Sequence, residues 1–235
     1  MSEQLILNVN LKDDATFENF FLQTGSDNAV AVAVLQKQLL SKKNSFVYLW
    51  GGQGSGVSHL LQASCHNTLT QDLSAQYLSL SEFLDYSPEE LFRNLDVISL
   101  ICLDNIQAIS GNIYWERQLF NLYNRIKDSC GSLLVGANCS ARELPLNLPD
   151  LHSRLSSGSL FQLASLDDVS KSKIIQFRAL RRGMKITDDL AQFIIARSPR
   201  EMNSLMNCLD ILEKFSLQEK RKLSKPLIKS ALGWE

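Results

Sequence analysis

One segment constrains this chain more than any other. FVYLW, residues 46 to 50, is an unbroken apolar run; GGQGSG follows at once, and then the helical pattern SHLLQASCHNTL. A short continuous apolar run suits a strand covered on both faces. A glycine turn between such a strand and a helix lets backbone N–H groups turn inward beside the positive end of the helix. The segment therefore predicts an α/β layer with a phosphate-sized cradle at the end of one strand, the plain alternative being a tight packing turn.

Residues Gly51, Gly52, Gln53, Gly54, Ser55, Gly56, Val57 and Ser58 fit G-x-x-x-x-G-K-[ST] at every position but one. Val57 stands where the pattern has lysine. The backbone cradle and the Ser58 hydroxyl, which can ligate magnesium, do not need that lysine. The lysine does neutralise β- and γ-phosphate oxygens, so an aliphatic replacement weakens a triphosphate most and a diphosphate less. Farther along, VISLICLD from Val97 to Asp104 reads as a central strand ending in a carboxylate, which can face a magnesium ion beside the loop. The next residue is Asn105. An acid there would orient or activate an attacking water, and an amide cannot accept a proton at neutral pH, so slow or absent self-hydrolysis follows.

The rest of the chain extends this layer. AQYLSL from 75 to 80, SLLVGAN and LFQLASL supply further strands, and helical spacing runs from about Asn28 to Leu40 and from Tyr114 to Lys127. Alternation of this kind predicts a parallel sheet flanked by helices. From Asp167 only helices are read: one closed by Gly183, one capped by Thr187, one opening at Pro199 or Arg200, and a short one from Lys225. The expected division is a terminal peptide at 1–12, an α/β core at 13–165 and a helical lid domain at 166–235.

With 24 Lys and Arg against 25 Asp and Glu, the net charge of −1 offers no broad positive field for nucleic acid, which disfavours a major-groove reader. The 5 cysteines show no zinc spacing and read as thiols, mostly core. The amino terminus has no signal-peptide pattern, and no window approaches a membrane span, so a cytoplasmic protein is expected. Trp115 is expected in the core or an interface rather than as a base-stacking platform, and the basic run RALRRG on a solvated face.

Glycine loop, Asp-ending strand, later strand with a polar tip at Asn138 and trailing helices together resemble an AAA+ module. More narrowly, TFENFF, LWGGQGSGVSHLL, LICLDNIQAI and LPDLHSRL are similar in wording and order to the family of the replication initiator DnaA and its shorter relatives of the Hda type. The Hda type lacks DnaA's DNA-binding domain, and this sequence stops just after the lid. The resemblance implies a regulatory inactivator of DnaA, one that stimulates hydrolysis of DnaA-bound ATP in trans, together with the DNA-loaded sliding clamp (the beta subunit of DNA polymerase III), so that initiation does not recur. It assigns the arginine finger to Arg154; without it, an ion pair with Asp150 would explain that residue. It implies that Gln4, Leu5, Ile6, Leu7 and Val9 in QLILNV dock on the clamp, which would associate the protein with the nucleoid. It implies ADP as cofactor at Gly51–Ser58, Asp104, Asn138 and Asn203, with Mg2+ at Ser58 and Asp104. Asn203 replaces the family's lid arginine, so a second cation is missing, with Arg200 one turn earlier a substitute if it points inward. No sequence-specific DNA contact and no membrane partner are implied, and a homo-oligomer is compatible with the family. The competing readings are a DnaC-like helicase loader or other DNA-dependent AAA+ ATPase, and a bridging scaffold.

Overall fold

A computed structural model describes residues 11–22, 26–41, 45–219 and 222–234. The residues divide into two compact units. One runs to Ala164 without Gln53–Ser55; the other comprises Ser165 onward together with Gln53–Ser55.

In the first unit, strands β1 (Phe46–Trp50), β2 (Ala75–Ser79), β3 (Leu100–Asp104), β4 (Ser132–Ala137) and β5 (Ser159–Gln162) form one parallel sheet in the order β2-β3-β4-β1-β5. Helices α1 (Asp27–Ser41), α2 (Val57–Leu69), α3 (Pro88–Leu91), α4 (Ile113–Asp128) and α5 (Pro149–Leu155) alternate with the strands. The parallel sheet flanked by helices is thus the architecture expected from the alternation. Parallel neighbours need crossover connections, and crossovers place apolar helices on the sheet faces.

Successive strand residues point to opposite faces, and here the two faces are two separate cores. Val47, Leu49, Tyr77, Leu100, Cys102 and Leu134 pack with Leu35 of α1 and Leu60 and Leu61 of α2. Tyr48, Ile101, Leu103, Leu133 and Val135 pack instead with Leu119 and Leu122 of α4 and Leu151 and Leu155 of α5. Trp115 belongs to this second core, edge-on to Phe92 with ring centroids 5.7 Å apart.

Several boundaries differ from the expectation; the strand expected over LFQLASL, for one, is Ser159–Gln162. The strand read from Val97 begins at Leu100, because Leu95–Val97 form a 3-10 turn entered through Asn94 at φ 59°. Arg125 pins that turn, its Nε donating to Asp96 at 3.0 Å and its guanidinium to the Phe92 carbonyl at 2.7 Å. Apolar content alone could not separate the exposed Val97 from the buried strand after it. The helix expected from Pro199 or Arg200 starts at Met202.

The second unit holds helices α6 (Asp168–Arg181), α7 (Asp188–Arg197), α8 (Met202–Glu219) and α9 (Lys225–Leu232) around Ile175, Ala179, Ile194, Leu205, Leu209, Leu212 and Ile228. Asp167 caps α6 by accepting the Ser170 N–H at 2.8 Å, and Gly183 ends it at φ +74°. RALRRG is not a solvated face throughout: Arg178 is buried, and Arg182 pairs with Asp210 at 2.5 Å. A helix lays residues three and four apart on one side, so part of a basic run can turn into the core.

Candidate functional site

The glycine loop lies between β1 and α2 as its sequence requires. Gly54 has φ +78° and Gly56, the residue before α2, φ +100°, conformations that L side chains resist. A Cβ at Gly56 would also meet the Phe20 ring at 2.6 Å. The TFENFF segment is therefore docked on the start of α2, where His59 faces the Thr16 carbonyl at 2.8 Å and stacks at a tilt on Phe20. His59 joins that segment to the loop's helix.

Period-two alternation brings the remaining groups together. On β3 the face carrying Leu100 and Cys102 ends in Asp104; on β2 it carries Tyr77 and Ser79, and on β4 Leu134 and Gly136. Asp104 is buried. Its Oδ2 accepts the Tyr77 hydroxyl at 2.8 Å and its Oδ1 the backbone N–H of Asn105 at 2.9 Å. Burial, and then the negative neighbour Asp104, push the Tyr77 phenol well above its ordinary range. A Cβ on Gly136 would fall 2.7 Å from Asp104 Oδ1 and 2.8 Å from Val57 Cγ1. Gly136 is thus the gap into which the valine and the carboxylate converge.

Val57, at the lysine position, is 8% exposed and belongs to the α2-side core. Asn105, at φ 55°, donates its side-chain amide to Ser79 Oγ at 3.0 Å and accepts from Gln107 Nε2 at 3.2 Å; Gln107 Oε1 in turn accepts the Asn138 N–H at 3.3 Å. The position where an acid would handle water is thus occupied by an amide network across the ends of β2, β3 and β4. Among the described residues no group of three or more His, Cys, Asp or Glu could hold a metal ion. The cation of the motif is absent from the loop, where Val57 stands; Ser58 is exposed and Asp104 buried.

Arg154 lies elsewhere. It sits on α5, whose Leu151 and Leu155 pack on the α4 side of the sheet, opposite to the face that α2 covers. Its guanidinium stands over the Tyr123 ring, 5.8 Å from the centroid, and among the described residues it makes no ion pair with Asp150. In the second unit Asn203 is exposed at the start of α8, and Arg200 is exposed and faces Asp168 at 3.7 Å. The QLILNV residues lie outside the described residues. Sequence reasoning missed Tyr77, Gln107, Glu116 and Gly136, and read Tyr123 only as part of an apolar helix face. A polar residue in a strand or in an apolar helical stripe was the available signal for Tyr77 and Glu116.

Sheet order, glycine loop and Asp-ending central strand define a P-loop protein with an AAA+ type core followed by a helical lid. The family described as the bacterial DnaA ATPase domain matches residues 11–163, and the family described as Hda, lid domain, matches residues 168–232. The chain belongs to the DnaA ATPase-domain family and carries the lid domain of Hda. It is 41% identical over 234 residues to an uncharacterized protein of Haemophilus influenzae, covering 99% of this chain and 100% of that one. Its fold is similar to domain III of DnaA from Thermotoga maritima, with a TM-score of 0.74 at 20% identity over 95% of this chain and 98% of that one. It is also similar to AMPPCP-bound DnaA from Aquifex aeolicus, with a TM-score of 0.69 at 20% identity over 89% of this chain and 68% of that one. No described helix is long and apolar enough to cross a membrane.

Proposed function

We propose that this chain is a regulatory inactivator of DnaA of the Hda type, using Arg154 to promote hydrolysis of the ATP held by DnaA while both engage the DNA-loaded sliding clamp. The pairing of a DnaA-type ATPase core with an Hda lid favours DnaA regulation over helicase loading. The observation that carries the reading is the placement of Arg154 on α5, whose Leu151 and Leu155 pack on the α4 side of the sheet, while α2, which follows the glycine loop, packs on the other side. On this reading the guanidinium serves a neighbour's phosphate site rather than the chain's own.

The chemistry asked of Arg154 is charge stabilisation. Phosphoryl transfer spreads negative charge over the oxygens of the transferred group, and a planar, always charged guanidinium entering from a second protein matches that charge without proton exchange. Its own site needs no catalytic competence for this, which accounts for an apolar Val57 and an amide Asn105. ADP, held by loop amides and α2's N-terminus, is the nucleotide that such a cradle tolerates best, because the missing lysine matters least without a γ-phosphate. Clamp docking is assigned to Gln4, Leu5, Ile6, Leu7 and Val9, as an extended segment whose apolar residues fill a groove.

The test is hydrolysis of ATP pre-bound to DnaA, with DNA-loaded clamp, by wild type and Arg154→Ala at equal concentration. An arginine finger is worth about 10³ to 10⁵ in rate, so wild type accelerates and the variant does not. Acceleration by neither protein overturns the reading in favour of a bridging scaffold.

A further inference from the structure

We propose that Glu116 on α4 is a positioning residue for Arg154, holding the entrance of the short finger helix while Tyr123 holds its exit; this rests on the arginine-finger reading above. Glu116 is completely buried. Such a side chain is costly unless every oxygen is satisfied. Its Oε1 accepts the Gly111 N–H at 2.8 Å, and its Oε2 accepts the N–H groups of Asn147 at 2.8 Å and Leu148 at 2.7 Å. Leu148 is the N-cap of α5 and offers no side-chain cap of its own. The carboxylate thus ties down the last two residues before the helix with short, charge-assisted bonds. Asn147 adds a second tie, its Nδ2 donating to the Gly111 carbonyl at 2.8 Å.

The same face of α4 reaches the other end of α5. Glu116, Leu119, Tyr123 and Ile126 are spaced three or four residues apart and are all buried, so they form one stripe. Two turns beyond Glu116, the Tyr123 ring lies against the Arg154 guanidinium. Phe46 meets Tyr123 edge-on at 5.2 Å, and Phe46 in turn fills the space where Gly158, just beyond α5, would carry a Cβ. α5 has only 7 residues. A helix that short has little stability of its own, so the direction in which Arg154 projects is set by what α4 holds. A charged group acting in a transition state loses about 10²-fold for roughly 1 Å of misplacement, which gives the anchors a measurable consequence.

The experiment titrates full-length wild type, Glu116→Gln, Asn147→Ala, Arg154→Ala and the Glu116→Gln/Arg154→Ala double variant against ATP-loaded DnaA with DNA-loaded clamp. It reads the maximal stimulated rate and the half-saturating concentration separately, with circular dichroism as a check on folding. Glutamine keeps one accepting oxygen and turns an N–H₂ toward a backbone donor. The expected result is a maximal rate lower by about 10- to 100-fold for Glu116→Gln, at an unchanged half-saturating concentration, and no further loss when it is added to Arg154→Ala. Asn147→Ala, at an exposed position, lowers the same maximal rate by a smaller factor. A full maximal rate for Glu116→Gln, a shift confined to half-saturation, or further loss on the Arg154→Ala background overturns the positioning role while the finger reading stands. A wild-type rate for Arg154→Ala overturns the finger reading and the positioning role with it. Should Glu116→Gln fail to fold, a full maximal rate for Asn147→Ala overturns the proposal.

Discussion

At the scale of single residues, the phosphate loop is marked by what converges on Gly136. Valine, carboxylate and leucine all lie within 3.0 Å of the place where a Cβ would stand. Two of these belong to packed core and the carboxylate is held by hydrogen bonds, so none yields cheaply. Gly136→Ala is expected to destabilise the protein by about 1–3 kcal/mol, seen as a drop of about 2–4 °C in thermal midpoint per kcal/mol for a chain of this size. Val57→Lys tests the loop from the other direction. A restored cation raises triphosphate affinity by about tenfold, for roughly 1.4 kcal/mol of added interaction, and raises diphosphate affinity less. Equilibrium binding of both nucleotides reads the contrast, and Asn105 keeps hydrolysis by the isolated variant slow. Equal gains for the two nucleotides would contradict this account of the missing lysine.

Two buried phenols give a pH dependence whose sign is fixed. Burial raises the pKa of Tyr48 and of Tyr77 above that of an unfolded tyrosine, which loses its proton near 10. Above that pH the unfolded chain holds fewer protons than the folded one, so this contribution to stability is present below about 10 and is lost as the pH rises further. Urea unfolding at about pH 9 and about pH 11 should show the fall, and Tyr77→Phe should make it shallower.

At the scale of elements, α4 does more than cover the sheet. Asn112 opens it by accepting the N–H groups of Tyr114 and Trp115 at 3.1 and 3.4 Å. Removing that cap in Asn112→Ala should cost about 1 kcal/mol in urea unfolding. The α4 pattern shows how far sequence reasoning reaches. Leu119, Leu122, Tyr123 and Ile126 were legible as an apolar face because they repeat at helical spacing. Glu116 lies on the same stripe and was not legible as buried, because its partners are backbone N–H groups from residues 111, 147 and 148, which no periodicity relates to it. The 3-10 turn at Leu95–Val97 was missed for a similar reason: Arg125, on another element, decides it.

At the scale of the whole molecule, the α/β core and the helical unit after it each close a core of their own. Arg154→Ala bears on that organisation. The side chain is half-buried and its ring contact is worth about 0.5–1 kcal/mol, so thermal unfolding of the variant should differ by only a few degrees while trans activation disappears. A large loss of stability would mean instead that Arg154 is a structural residue.

The sequence by itself determined the glycine loop, the valine and asparagine that depart from the motif, and the succession of strands and helices, because these depend on neighbours in the chain and on local periodicity. Only the tertiary structure decided what surrounds them. Tyr77 reaches Asp104 from 27 residues away because β2 and β3 are parallel neighbours in register, and Gly136 reaches the same carboxylate because β4 lies on the other side of β3. Likewise α2, which follows the phosphate loop, and α5, which carries Arg154, cover opposite faces of the one sheet. Strand order and facing are set by crossovers and by which apolar faces bury one another, so they emerge only when the whole chain packs.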